Sequence, residues 1–228
     1  MIAVIVPIYN TEKYLRETID SVICQTLSFA EHIRLILLDD ASTDGSFAIC
    51  EQYQKQYPKQ ILVKHYDTNQ GVSALRNEGV RIAGEMGDEL ITFLDSDDKL
   101  ADDAMEKAVQ YFDAHEDVFV AAIGIRYFDA YEGEQRLNWR FEKTDVVDIK
   151  RDYTYPHYYV GGVFLRHAVL DELHFDESLS FWEDALAVNQ VIVSQGKYGL
   201  IAGTHYYYRK REDESSLVDT AWHKKERY

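Results

Sequence analysis

The chain has 228 residues, a formal net charge of −16, 46% hydrophobic residues and 13% aromatic residues. This apolar content predicts a globular protein with one core and argues against disorder. The negative charge excludes nucleic acid binding and a purely electrostatic attachment to lipid, because both partners are bound by basic patches. No apolar run reaches the roughly 20 residues that a membrane span needs.

Two features of the sequence predict a cytoplasmic location. Met1 leads directly into an apolar segment without a basic stretch before it, so no signal peptide is visible. Cys24 and Cys50 each fall in a predicted helix and show no spacing typical of a metal site or a disulfide. We therefore expect both to be reduced thiols in the core.

The first half of the chain alternates short apolar strands with amphipathic helices. Strands are predicted at 2–6, 33–38, 61–65, 90–94 and 118–125. The first strand is expected to end at Pro7, which cannot donate to a ladder. Helices are predicted at about 11–23, 46–56, 73–83 and 102–114. This alternation requires right-handed crossovers, so we predict an α/β fold with a mostly parallel central sheet.

The second half is less regular. Helices are predicted from Val163 to about Leu173 and from Phe181 to Ser194, and a strand near 198–208. Between them the chain is crowded with tyrosines and other aromatic residues, which usually pack in cores; a sugar-stacking role for individual rings stays open.

Polar side chains follow three of the predicted strands. They are Tyr9 after the first, Asp39 and Asp40 after the second, and Asp95, Asp97 and Asp98 after the fourth. In an open α/β sheet, ligands bind beyond the carboxyl ends of the strands. The convergence favours a site in which Asp95 and Asp97 organise a divalent metal and a phosphate-bearing ligand. The alternative is a solvated turn, with Asp97 or Asp98 as a helix cap.

Five motifs in order resemble those of family 2 inverting glycosyltransferases with the GT-A fold. They are Ile5–Asn10, Leu38–Asp44, Asn69–Asn77, Leu94–Asp98 and Phe181–Asp184. The fourth is similar to the metal-binding Asp-x-Asp motif of the family, and the fifth is similar to its Glu-Asp pair. Two mild departures are Ala41 and Leu75, where Gly and Ala are more usual. The resemblance implies a Rossmann-like sandwich in one domain over 1–228. Its nucleotide-binding half would span about 1–100, and its acceptor-side half and tail about 101–228.

The resemblance also implies roles for single residues in binding a nucleotide sugar. Pro7 and Tyr9 would lie at the base, whose edge Asp40 reads, and Asp95 near the ribose. Asp97 would hold the metal, and its oxygen ligands suit Mn²⁺ or Mg²⁺ rather than Zn²⁺.

Basic residues are expected to bind the anionic part of the donor. Arg76 would place a positive charge beside the phosphate or base; the alternative is an arginine that packs on the sheet edge in an ion pair. Arg209, Arg211 and Ser216 are candidates for closing over the diphosphate, although a charged tail is more often simply solvated.

The general base is assigned to Asp184. Ser180 to Glu183 reads as a capping box, which gives Glu183 a structural task. Asp184 borders the apolar stripe of that helix and would take the proton of an acceptor hydroxyl. The alternative is that Asp184 merely complements the helix dipole.

We therefore expect a metal-dependent transfer of a sugar, with UDP-sugar as the favoured donor. The acceptor would be a hydroxyl of a glycan, lipid-linked or polymeric molecule in cell-surface polysaccharide synthesis. The enzyme would act in the cytoplasm, and attachment to the inner face of the membrane stays open. A catalytically idle nucleotide-sugar-binding module of the same fold is the alternative. A nucleotidyltransferase is disfavoured, because residues 2–10 contain no glycine for a phosphate loop.

Overall fold

The computed structural model describes residues 1–153 and 157–211. Its strands are β1 (Ile2–Ile8), β2 (Ile33–Asp39), β3 (Ile61–His65), β4 (Leu90–Phe93), β5 (Lys99–Leu100), β6 (Val120–Asp129), β7 (Gly133–Glu134), β8 (Asp145–Asp148), β9 (Val163–Arg166) and β10 (Lys197–Lys210). Its α-helices are α1 (Glu12–Ile23), α2 (Phe29–His32), α3 (Ser46–Gln56), α4 (Val72–Glu85), α5 (Ala104–Ala114) and α6 (Glu183–Gln195). Short 3-10 helices cover Asn138–Phe141 and His167–Glu172.

All ten strands belong to one sheet, whose main path runs β3-β2-β1-β4-β9-β6-β10-β5. The first four of these strands are mutually parallel. Strand β9 is antiparallel to both β4 and β6, and β10 is parallel to β6. The sheet is therefore mixed, and β9 joins the two halves of the chain into one hydrogen-bonded surface.

Successive residues of β1 point to opposite faces of the sheet. Val4 and Val6 belong to one apolar cluster, which includes residues of α1, α3 and α5. Ala3 and Ile5 belong to the other, which includes residues of α4 and α6. The result is a sheet with a helical layer on each face. None of the helices in 1–153 and 157–211 combines the length and apolar character that a membrane span requires.

Three expectations about local structure are wrong. The segment predicted as one helix from Val163 is β9 followed by a 3-10 helix, because a short run buried on both faces reads alike as strand or helix. Pro7 does not end β1 but pairs in register with Leu38, so one missing N–H is tolerated in this ladder. Cys50 is buried as expected, but Cys24 is exposed, since it lies just beyond the end of α1.

Candidate functional site

The carboxyl ends of β1, β2 and β4 lie side by side, because these strands are parallel neighbours. The predicted convergence of the polar strand tips is therefore confirmed. Tyr9, directly after β1, is 51% exposed, while Pro7 is buried within the strand. The loops after β1 and β2 are joined, since Asn10 N–H donates to Ser42 Oγ at 3.0 Å and Asn10 Oδ1 accepts from Thr43 N–H at 2.8 Å.

Asp40 is buried at the end of β2 and holds the loop that begins α4. Its Oδ1 accepts from Gln70 N–H at 2.6 Å, and its Oδ2 accepts from Gly71 N–H at 2.9 Å. Gly71 has φ of 89°, a conformation that favours glycine. Ala41, the departure from the more usual glycine, also has a positive φ, of 59°. The carboxylate thus shapes the crevice wall, and its contact with a nucleotide base stays a prediction.

The turn after β4 carries three carboxylates, each with a different partner. Asp95 Oδ1 accepts from Arg76 Nη2 at 3.1 Å. Asp97 Oδ2 accepts from Arg211 Nη2 at 2.6 Å and from Nε at 3.0 Å. Burial raises the pKa of Asp97, and the charge of Asp95 raises it further against the opposing effect of Arg211.

Asp98 is fully enclosed by β10. Its Oδ2 accepts from the Tyr206 hydroxyl at 2.8 Å, and its Oδ1 accepts from Arg209 N–H at 2.7 Å. The Tyr206 oxygen in turn accepts from Asp95 N–H at 3.1 Å. Burial, followed by the charges of Asp97 and Asp95, holds the pKa of Asp98 well above its ordinary value. This buried carboxyl group therefore fixes the turn.

Arg209 is an internal brace between three elements. Its Nε donates to the Asp97 carbonyl at 2.7 Å, Nη1 to Asp129 Oδ2 at 2.8 Å, and Nη2 to Glu17. The guanidinium also lies 4.3 Å from the Phe128 ring centroid. Because the guanidinium already donates to other parts of the chain, Arg209 would have to break some of these hydrogen bonds to make the predicted contact with the diphosphate. Arg211 already reaches the Asp97 carboxylate, and Ser216 lies outside the described residues.

Arg76 joins the β4 tip to the start of α6. It is 4% exposed, and its Nη1 donates to Glu183 Oε1 at 2.9 Å while Nη2 contacts Asp95. Burial opposes its charge, but Asp95, Asp184 and Glu183 more than compensate, so the pKa of Arg76 is raised. The ion pair that was the alternative for Arg76 is present, and its contact with the phosphate or base stays a prediction.

The predicted capping box is wrong. The helix begins at Glu183 with Trp182 at the N-cap, and no side chain caps it. Glu183 instead accepts from Arg76, whose guanidinium is buried and would be costly to leave unpaired. The apolar stripe of Ala185, Val188 and Ile192 is buried as predicted.

Asp184 is partly buried beside this network. Burial raises its pKa to about 6, with Arg76 opposing and Glu183 reinforcing the shift. Its Oδ1 accepts from the adjacent Ala185 N–H at 2.7 Å. A carboxylate with a pKa near 6 is deprotonated at neutral pH and basic enough to accept a proton.

The sequence does not predict the structural roles of two residues near the site. Tyr206 is one of three consecutive tyrosines, and no pattern distinguishes it from Tyr207 or Tyr208. Trp182 was read as part of a helix, although its φ of 67° is left-handed. In both cases the signal lies in tertiary contacts rather than in local sequence.

The carboxylate donors of the β4 turn fit Mg²⁺ or Mn²⁺. Among the described residues, no group of three or more His, Cys, Asp or Glu side chains is arranged to hold a metal. Mg²⁺ usually takes one or two protein carboxylates and completes its shell with substrate phosphates and water. Burial and, after it, the charge of Asp95 raise the pKa of Asp97, and a cation at this turn would favour its ionised form. The donor set therefore fits a metal shared with a phosphate ligand.

Comparisons with known proteins agree with this geometry. Residues 3–174 match the family model of glycosyl transferase family 2. The chain is 43% identical over 230 residues to the minor teichoic acid biosynthesis protein GgaA of Bacillus subtilis, covering all of this chain and 51% of GgaA. It is 39% identical to GgaB of the same organism, over 96% of this chain and 24% of GgaB. The chain thus spans about half or less of the length of these relatives.

A solved structure shares the architecture. The crystal structure of S. aureus TarS 1–349 in complex with UDP-GlcNAc matches with a TM-score of 0.80 and 26% identity. The match covers 92% of this chain and 59% of that one. The mixed sheet and its helical layers are therefore the GT-A fold.

Proposed function

Because the chain belongs to glycosyltransferase family 2, we propose that it transfers a sugar, with inversion, from a UDP-sugar to a hydroxyl of a cell-wall glycan acceptor. The teichoic acid biosynthesis names of GgaA and GgaB and the UDP-GlcNAc bound by TarS support the acceptor and donor classes. A nucleotide-sugar donor also assigns the reaction to the cytoplasm. In this proposal one domain carries both the nucleotide-binding half, about 1–100, and the acceptor-side half.

One observation carries the proposal: a single buried arginine touches both sides of the crevice. Arg76 contacts Asp95 at the tip of β4 and Glu183 at the start of α6. Asp184 follows Glu183 directly, so a carboxylate suited to act as a base is held at a fixed place relative to the strand tips. An idle binding module does not require a base with a raised pKa at that place.

The donor is assigned to the strand tips. Tyr9 offers an exposed ring to the base, and Asp40, which binds the loop of Gln70 and Gly71, is assigned to its edge. Asp95 lies toward the ribose, and Arg211, next to Asp97, toward the diphosphate. These groups bind and orient the donor, which leaves the anomeric carbon open to attack from the side of α6.

The transfer is a single displacement. Asp184 accepts the proton of the acceptor hydroxyl as that oxygen forms a bond to the anomeric carbon. The bond between this carbon and the diphosphate oxygen breaks, and its electron pair leaves with UDP. Attack opposite the leaving group inverts the configuration. Glu183 and Arg76 fix the start of α6, where Asp184 lies.

Asp97 would hold the Mn²⁺ or Mg²⁺ ion together with the donor phosphates. When bound, such an ion supplies Lewis-acid stabilisation of the charge on the departing nucleotide. Arg211, which contacts Asp97, adds a fixed positive charge in the same region.

A donor panel tests the proposal. Purified protein is incubated with UDP-, GDP- and TDP-sugars, Mn²⁺ and a panel of glycoside and polyol acceptors, and nucleoside diphosphate release is measured. We expect release with a UDP-sugar that increases when a suitable acceptor is added. Binding of UDP-sugar without any turnover would instead support the idle module.

A further inference from the structure

Trp182 adopts a backbone conformation that its side chain disfavours. Its φ of 67° and ψ of 10° lie in the left-handed region, where bulky residues are outliers and glycine is at ease. Such strain persists when the surrounding structure enforces it, and it concentrates at functional sites.

Burial does not compensate for this strain, since Trp182 is 51% exposed. Its ring lies edge-on to two half-buried aromatic rings, 5.9 Å from the Tyr158 centroid and 5.3 Å from the Phe181 centroid. A glycine would satisfy the backbone and leave the core intact. About half of the indole is therefore available for contact at the surface.

The aromatic pair of Trp182 and Tyr158 is held close to the proposed reaction centre. Trp182 directly precedes Glu183 and Asp184. The segment with Tyr158 is fixed to α6, because Asn189 accepts from His157 N–H at 3.1 Å and donates to its carbonyl at 2.5 Å. The same segment reaches the sheet, where Gly161 forms a bridge to Phe93, the last residue of β4.

We propose that Trp182 and Tyr158 form an acceptor subsite that binds a cyclic sugar by stacking against the C–H face of its ring. The inference rests on the proposed function and specifies its acceptor class. A pyranose presents an apolar C–H face that matches an exposed indole, whereas an open-chain polyol has no such face. The donor sites lie at the strand tips, so a ring stacked beside Asp184 is the acceptor.

The exposed face of α6 offers one competing explanation. Leu186 and Val193 are also exposed, and with Trp182 they form an apolar strip that a second copy of the chain could cover. Of these three residues only Trp182 has a left-handed backbone, so an interface between copies would not account for the strain. The test therefore includes the oligomeric state as an outcome.

The test uses paired substitutions at this position and a matched tryptophan elsewhere. Trp182→Gly removes the ring and relieves the left-handed backbone, and an unchanged melting temperature would show that a loss of function is not caused by unfolding. Trp182→Tyr keeps an aromatic face. Trp139→Ala is the control, because Trp139 is similarly exposed, at 54%, in the 3-10 helix that precedes β8. The probes are methyl glycosides of several hexoses and, as the open-chain arm, ribitol.

We expect Trp182→Gly to raise the KM for the methyl glycosides about tenfold, because this factor corresponds to the free energy of one good aromatic contact. Trp182→Tyr should raise it less than threefold, and Trp139→Ala should match the wild type. Affinity for UDP-sugar by calorimetry should change less than twofold in all variants, and melting temperatures should stay close together.

Three results would overturn the inference: unchanged KM in Trp182→Gly with or without a changed oligomeric state, weakened UDP-sugar binding in that variant, or a wild-type protein that uses ribitol but no glycoside. In each of them the wild-type protein still turns over, so the proposed function survives. A wild-type protein that releases no nucleoside diphosphate with any pair would overturn both.

Discussion

Arg76 Nη1 donates to Glu183 Oε1 at 2.9 Å, although the two residues lie 107 positions apart in the chain. The same guanidinium contacts Asp95 at 3.1 Å. Glu183 therefore orients the start of α6 relative to β4, while Asp184 is left for the proton. The two adjacent carboxylates have separable tasks.

Substitution at each carboxylate should separate these tasks. Asp184→Asn keeps the shape but removes the proton acceptor, so the rate constant should fall about 10²–10⁴-fold with little change in donor affinity. Glu183→Gln can still accept from Arg76 and should lose much less rate. Single-turnover kinetics at saturating UDP-sugar measure both. A variant Asp184→Asn that retains most of its rate while Glu183→Gln loses it would reverse the assignments.

Glu183→Ala gives a stability readout for the same pair. It removes one partner of a buried guanidinium, so the free energy of unfolding should fall by about 1–3 kcal/mol. Thermal and denaturant melts of the three variants measure it, and a wild-type melt for Glu183→Ala would contradict the bridging role.

The pH dependence should report Asp184. Since burial raises its pKa to about 6, a base at this position is protonated and inactive below that pH and ionised above it. We expect kcat/KM to rise as the pH increases from 5 to 7 and then to level off. A profile that stays flat across this range would argue against Asp184. The residual activity of Asp184→Asn should not show this rise of kcat/KM between pH 5 and 7.

Metal removal tests Asp97. We expect EDTA to abolish transfer and Mn²⁺ or Mg²⁺ to restore it, because oxygen ligands favour these ions. Asp97→Asn should raise the Mn²⁺ concentration needed for half-maximal activity, and titration followed by paramagnetic resonance should show weaker binding. Undiminished transfer in excess chelator would refute the metal assignment.

Asp40 should affect both binding and stability. Asp40→Ala removes the acceptor of two backbone N–H groups, so about 1–3 kcal/mol of unfolding free energy should be lost together with UDP affinity. Asp40→Asn keeps one acceptor oxygen and serves as the milder control. Calorimetry and denaturant melts separate the two effects, and unchanged UDP affinity in both variants would exclude a base contact.

Local pattern predicted the parts of the site that follow regular elements. The polar tips of β1, β2 and β4 were visible because apolar strands end abruptly in polar residues. The start of α6 was not, because the contact of Glu183 with Arg76 overrides a plausible cap at Ser180. β9 was missed because Val163 to Leu165 are buried on both faces of the sheet, which erases any period.

The turn after β4 depends on a strand that is much later in the chain. Asp98 receives its hydrogen bonds from Tyr206 and Arg209, which lie 108 and 111 residues away. Contacts between residues so far apart in the chain form slowly, because the entropy cost of closing a long loop precedes the free energy gained from the contacts. During synthesis the Asp-x-Asp turn leaves the ribosome about a hundred residues before Tyr206 and Arg209 do. This turn is therefore among the last parts of the molecule to reach native order during synthesis.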